Sequence, residues 1–183
     1  MSQTSHARRL NLLAFAQAGV PLSADTPIEE LDRLQQELHA PGSDLKVTWT
    51  ATPSVQPGAG GADVQDVVWL RLQATVTVPL VCQRCMAAVQ TALVVDQQYR
   101  FVASEEIAMA EDDDAEEDLL VMEPQFDVLA VLEDELLMAL PLVPMHDECP
   151  VAPKLQAGEE DMLPAQEEKP HPFAALAQLN TKK

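Results

Sequence analysis

Aromatic side chains are scarce, with Phe, Trp and Tyr together making up 4% of the 183 residues. A core without them has to come from Leu, Val and Ala, and a base-stacking platform for single-stranded RNA has no support. Positive charge is also thin: 11 Lys and Arg stand against 30 Asp and Glu, for a net charge of −19. That balance repels nucleic-acid backbones and anionic membranes and favours basic partners, so any RNA contact has to be local and geometric. No run approaches the roughly 20 apolar residues that span a bilayer. Cysteine is limited to three, an odd number that includes the close pair Cys82 and Cys85. This suits free thiols or metal ligands in a reducing compartment better than a disulfide framework, and a cytoplasmic location is the expectation.

Catalytic signatures are missing too. There is no Gly-rich phosphate loop, no G-x-S-x-G elbow and no H-E-x-x-H. His6, His39, His146 and His171 lie far apart, and none has a nucleophile beside it in sequence. The chain is therefore expected not to be an enzyme, with a zinc- or thiol-dependent one as the lesser alternative.

What is present is an apolar fraction of 47%, enough for one domain with tails. The N-terminus places basic residues before a short apolar run. Asn11 and Gln17 interrupt that run, so it reads as part of the fold, with a transit segment as the alternative. Arg8–Ala18, before Gly19, is a short helix. Thr26-Pro27-Ile28-Glu29 supplies a cap, a first-turn proline and a carboxylate, and Ile28, Leu31, Leu34 and Leu38 follow at helical spacing. A helix over 26–39 is predicted, ended by Pro41-Gly42.

The period then changes. Leu45–Ala51 is a short β-like run, and Pro53–Gly61 reads as a loop. Val68, Leu70, Leu72, Ala74, Val76, Val78 and Leu80 alternate with polar residues, which predicts a long strand buried on one side. Val89, Leu93, Val95, Tyr99 and Phe101 form the buried face of a second strand, and Cys82-Gln83-Arg84-Cys85 occupies the turn between the two. An acidic stretch over about 104–123 is predicted to be a mobile loop. Phe126–Leu140 is a helix with Leu129, Leu132, Leu136 and Leu140 on one flank and Glu133, Asp134 and Glu135 on the polar one, stopped by Pro141 and Pro144. The fold class is α+β: an antiparallel sheet with packed helices, an acidic disordered loop and a tethered C-terminal helix. Residues 1–150 are the single domain, and 151–183 are a polar tether ending in a short helix at His171–Leu179.

Cys82-x-x-Cys85 in a turn aims two sulfurs at one point, which is half of a zinc site. His146-x-x-Cys149 offers a nitrogen and a sulfur that complete a Cys3His set, making structural zinc the candidate cofactor. The competing reading is reduced cysteines in a turn beside a surface histidine. Arg71 and Arg100 fall on the polar strand faces and Arg84 in the turn, so together they are the candidate RNA-binding residues.

Three segments resemble one family when taken in order. They are Val78-Pro79-Leu80-Val81-Cys82-Gln83-Arg84-Cys85, then Glu135-Leu136-Leu137-Met138-Ala139-Leu140-Pro141-Leu142-Val143-Pro144-Met145-His146, then Pro172-Phe173-Ala174-Ala175-Leu176-Ala177-Gln178-Leu179. The chain thereby resembles the bacterial YceD family, the large ribosomal RNA subunit accumulation proteins. Cys82, Arg84 and Cys85 match the family's C-x-R-C turn. His146 and Cys149 match the His or Cys positions after its Leu-Pro-x-x-Pro segment, while His171 stands where the family usually has Asn. The resemblance implies a non-enzymatic ribosome-biogenesis factor that supports accumulation of large-subunit ribosomal RNA by binding its precursor. It also implies a link to a small basic ribosomal protein of the large subunit. An acidic adaptor for that protein, with Glu105–Glu123 attracting it, is the alternative function.

Overall fold

The longest segments of alternating apolar residues become the longest strands. In a computed structural model, which describes residues 7–40, 44–57 and 66–151, β3 spans Val67–Val81 and β4 spans Ala88–Val102. They pair antiparallel without a break from Trp69↔Arg100 to Val81↔Ala88. β1 (Leu22–Pro27) and β2 (Lys46–Gln56) add on one side, and β5 (Asp118–Val121) adds on the other. The order is β1-β2-β3-β4-β5. The first three pairings are antiparallel, but β5 runs parallel to β4, so the sheet is mixed and the expected purely antiparallel sheet is corrected. Among the described residues, four α-helices accompany it: α1 (Leu12–Ala18), α2 (Asp32–Gln36), α3 (Glu105–Glu111) and α4 (Val128–Met138). The fold is α+β. The chain divides after Pro150, and the predicted helix at 171–179 lies outside the described residues.

The core lies on one face of the sheet. Trp49, Leu70, Leu72, Leu93, Leu129, Leu132 and Leu136 are at most 1% exposed and pack with Ile28, Leu31 and Leu34. Asn11 caps α1 by accepting from the Ala14 N–H, and Gly19 closes it at φ 61°, a left-handed position where a side chain is costly. The residue that interrupts the N-terminal apolar run is thus a helix cap. Phe126 is bridged to Leu10 and meets the Phe101 ring edge-on at 5.1 Å.

Two predicted elements are corrected. The helix over 26–39 does not begin at Thr26, because Leu22–Pro27 is strand β1. Thr26 pairs with Val47, and its hydroxyl accepts the Trp49 indole N–H at 2.8 Å. Only a 3-10 turn at Ile28–Glu30 and the five-residue α2 follow. Ile28, Leu31, Leu34 and Leu38 are nevertheless all buried, as their spacing implied. The acidic stretch carries helix and strand where its composition predicts a mobile loop. Ser104 caps α3 by accepting from the Ile107 N–H, and a 3-10 turn leads into β5. Arg100 holds both Glu111, at 2.6 Å, and Glu117, so one guanidinium offsets much of the local repulsion. A smaller difference is that β2 runs through Pro53, which sits past the end of β1 where no neighbouring strand needs its N–H.

Tyr99, the chain's one tyrosine, donates its hydroxyl to Glu135 at 2.7 Å. Burial, and then the Glu135 carboxylate, push its phenol far above the ordinary range. A folded-state pKa raised in this way gives stability that is complete below the unfolded value of about 10 and is lost as pH rises beyond it. Chemical denaturation is expected to show a loss of up to about 1.4 kcal/mol per pH unit above about pH 10. Tyr99→Phe removes that slope and costs about 1 kcal/mol at neutral pH. An unchanged slope in the variant would show that the titrating group lies elsewhere. Among the described residues, no helix is long and apolar enough to cross a membrane.

Candidate metal centre

The β3–β4 hairpin carries its cysteines on a tight turn. Cys82 donates its N–H to the Ala87 carbonyl at 2.9 Å, and the Met86 N–H returns to the Cys82 carbonyl at 2.9 Å. Closing the turn puts Met86 at φ 61°, in the left-handed region that costs a non-glycine residue roughly 1–2 kcal/mol. Cys82 is fully buried and Cys85 half-buried, so the sulfurs face inward while Gln83, Arg84 and Met86 face solvent.

The second pair of donors arrives after α4. Pro141 prevents the helix from continuing, and the following segment is pinned to the turn where Gln83 donates its N–H to the Pro144 carbonyl at 2.9 Å. His146 and Cys149 then reach the hairpin sulfurs, and the donor atoms of Cys82, Cys85, His146 and Cys149 all lie within 4.8 Å of one another. His146 Nδ1 is 3.5 Å from Cys85 Sγ, and Nε2 donates to the Ala88 carbonyl at 3.0 Å. That bond orients the ring and turns Nδ1 towards the sulfurs.

Arg84 joins the two arms. Its Nε donates to Cys149 Sγ at 3.0 Å, and its terminal nitrogen donates to the carbonyls of His146 at 2.6 Å and Asp147 at 3.1 Å. Burial opposes ionisation of Cys82. Backbone N–H groups of His146, Cys85 and Arg84, with the His146 side chain, outweigh it and bring the thiol down to about 5. Cys85 goes the other way: the Ala87 N–H lowers it, but burial and the neighbouring Cys149 and Cys82 together raise it. Three crowded sulfurs cannot all be thiolates without a cation. Tetrahedral zinc, with Zn–S near 2.3 Å, sets sulfurs about 3.8 Å apart, inside the 4.8 Å within which these donors lie. Three sulfurs, one prepared imidazole nitrogen and an Arg84 that offsets surplus thiolate charge fit such an ion.

The other two arginines are elsewhere. Arg71 forms a two-pronged pair with Asp96, with both contacts at 2.7 Å, and Arg100 is held by Glu111 and Glu117. They sit across β3 and β4 at the far end of the sheet, about ten strand residues or 33 Å from the turn. Arg71 and Arg100 therefore do not share one basic patch with Arg84. Sequence reasoning also missed the partners that orient the donors: Pro144 O, Ala88 O and the left-handed Met86. A backbone carbonyl leaves no mark in a sequence, and only Pro144 could have been suspected, as a helix stop.

The comparisons agree with the motifs. The model of the family described as Large ribosomal RNA subunit accumulation protein YceD matches residues 70–180, a span that contains all four donors. The chain belongs to the YceD family. A Haemophilus influenzae protein named Large ribosomal RNA subunit accumulation protein YceD is 32% identical over 163 residues, covering 84% of this chain and 83% of the relative. No solved structure matches the chain.

Proposed function

We propose that this YceD-family chain supports the accumulation of large-subunit ribosomal RNA by contacting its precursor through a zinc-pinned hairpin tip. The observation that carries this reading is the convergence of Cys82, Cys85, His146 and Cys149 on the β3–β4 turn, which leaves Gln83, Arg84 and Met86 exposed. A short metal-bound turn is a recurring way to present a few side chains to unpaired RNA without a broad basic face. That economy suits a chain with a net charge of −19. Four protein donors close the coordination shell, so the ion is structural and leaves no position for substrate, which supports a non-enzymatic role. The family name carried by the Haemophilus relative points to the same RNA.

Arg84 also holds the second arm, so charge reversal there would disturb the centre as well as any RNA contact. The test therefore places carboxylates beside it, at exposed Gln83 and Met86. In anisotropy titrations with a large-subunit precursor transcript, Gln83→Glu with Met86→Glu is expected to weaken binding about tenfold with zinc content unchanged. Arg84 is the one cation among these three side chains, so a single phosphate contact gives a log–log salt slope of about −0.7 for unpaired RNA. Binding that ignores both salt and the substitutions would sink this reading.

A further inference from the structure

Strand β4 is bonded to β3 along nearly its whole length, but β5 covers its other side only at Tyr99–Val102. Register decides which backbone groups the open side presents. The Cys82–Ala87 bond fixes the phase of the ladder, and bonded pairs recur every second residue in an antiparallel pair. Val89, Thr91, Leu93, Val95 and Gln97 therefore bond to β3, while Gln90, Ala92, Val94 and Asp96 aim N–H and C=O away from it. Both ends of the strand agree. The Ala88 carbonyl takes His146 Nε2 and the Val102 carbonyl takes the Met122 N–H, each on the outward side. Between them, among the described residues, no backbone hydrogen bond from another segment reaches Gln90–Asp96.

Proteins blunt an edge of this kind with proline, lysine, a bulge or a covering segment. Ala88–Gln98 contains neither proline nor lysine, its pairing with β3 is unbroken, and Val94 is 67% exposed. The open stretch is about 23 Å long, enough for a seven-residue strand. Acids stand at both ends: Asp118, bonded to Gln97, at one, and exposed Asp147 and Glu148, beside His146, at the other. A net charge of −19 on every copy opposes edge-to-edge pairing of this chain with itself and attracts a cationic strand.

We propose that the outward edge of β4, Gln90–Asp96, is a strand-addition site for an extended basic segment of a protein partner. Main-chain bonds supply affinity, and the flanking acids select for charge. This does not depend on the RNA reading, since it uses a different surface and no metal ligand.

The full chain with its metal is titrated with a peptide of alternating Lys and Val, and amide exchange is followed by NMR. The expected result is at least about tenfold slower exchange at Gln90, Ala92, Val94 and Asp96, with the odd-numbered amides protected before addition. Ala92→Pro deletes an outward N–H and leaves the β3 ladder intact, so it should weaken the peptide about tenfold, and Ala92→Thr should not. Val94→Pro repeats the test if the first variant does not fold. The same peptide N-methylated on alternate residues keeps its charge and should not bind. Equal binding of the methylated peptide, or no β4 protection, would overturn the site. So would protection of these amides by RNA, or by self-association at high concentration in place of the peptide.

Discussion

Glu133→Ala is expected to lower the unfolding free energy by about 3–4 kcal/mol, more than any other single carboxylate substitution on α4. Its side chain is only 11% exposed, and its oxygens accept the Arg33 N–H at 2.7 Å, the buried Leu34 N–H at 3.2 Å and Arg33 Nε at 3.0 Å. It acts as the N-terminal cap of α2, supplied from a helix a hundred residues away. Alanine would orphan one buried and one part-buried backbone donor and free a guanidinium that Asp134 alone still holds, at 2.5 Å. Glu133→Gln keeps an acceptor and gives up the charge, so it should cost about 1–2 kcal/mol. Urea unfolding measures both. A loss below about 1 kcal/mol for the alanine variant would mean that water replaces the carboxylate.

Cys82→Ser carries the other large expected effect. The purified protein should hold one zinc per chain, and this variant should hold less than about a tenth of that. Losing the staple between the hairpin and the segment after α4 is expected to cost about 3 kcal/mol, or a Tm lower by about 6–12 °C in a chain of this size. Amides around Gln83 and His146 should exchange faster while the β1–β2 ladder is unaffected. Elemental analysis and scanning calorimetry give the answer together. A wild-type protein that refuses zinc and is as stable as the variant would return the cysteines to plain reduced thiols.

Much of this was legible because it rests on local period. The alternation from Val68 to Phe101 marks two strands and their turn, and the leucines of α4 mark its buried flank. The donor set was legible as well, since the spacings Cys82–Cys85 and His146–Cys149 and the turn between two strands need no knowledge of distant neighbours. What escaped depends on partners far along the chain. Thr26 looks like a helix cap until Trp49 claims its hydroxyl, and Pro27 then ends a strand instead of opening a helix. Glu133 looks solvated until Arg33 and Leu34 are placed against it. The acidic run looks self-repelling, and Arg100, more than ten residues away from Glu117, is what gathers it. The same pairing removes Arg100, and Asp96 removes Arg71, from the patch that a count of strand arginines suggests.

The most direct test of an RNA-contacting, zinc-pinned hairpin tip is crosslinking in cells, followed by sequencing of the RNA attached to the purified protein. Precursor large-subunit RNA is expected to be enriched at a defined site, with the crosslinked peptide containing Gln83–Met86 and the signal lost in Cys82→Ser. Recovery of a basic ribosomal protein with no RNA above background would contradict it, and would make any effect on ribosomal RNA indirect.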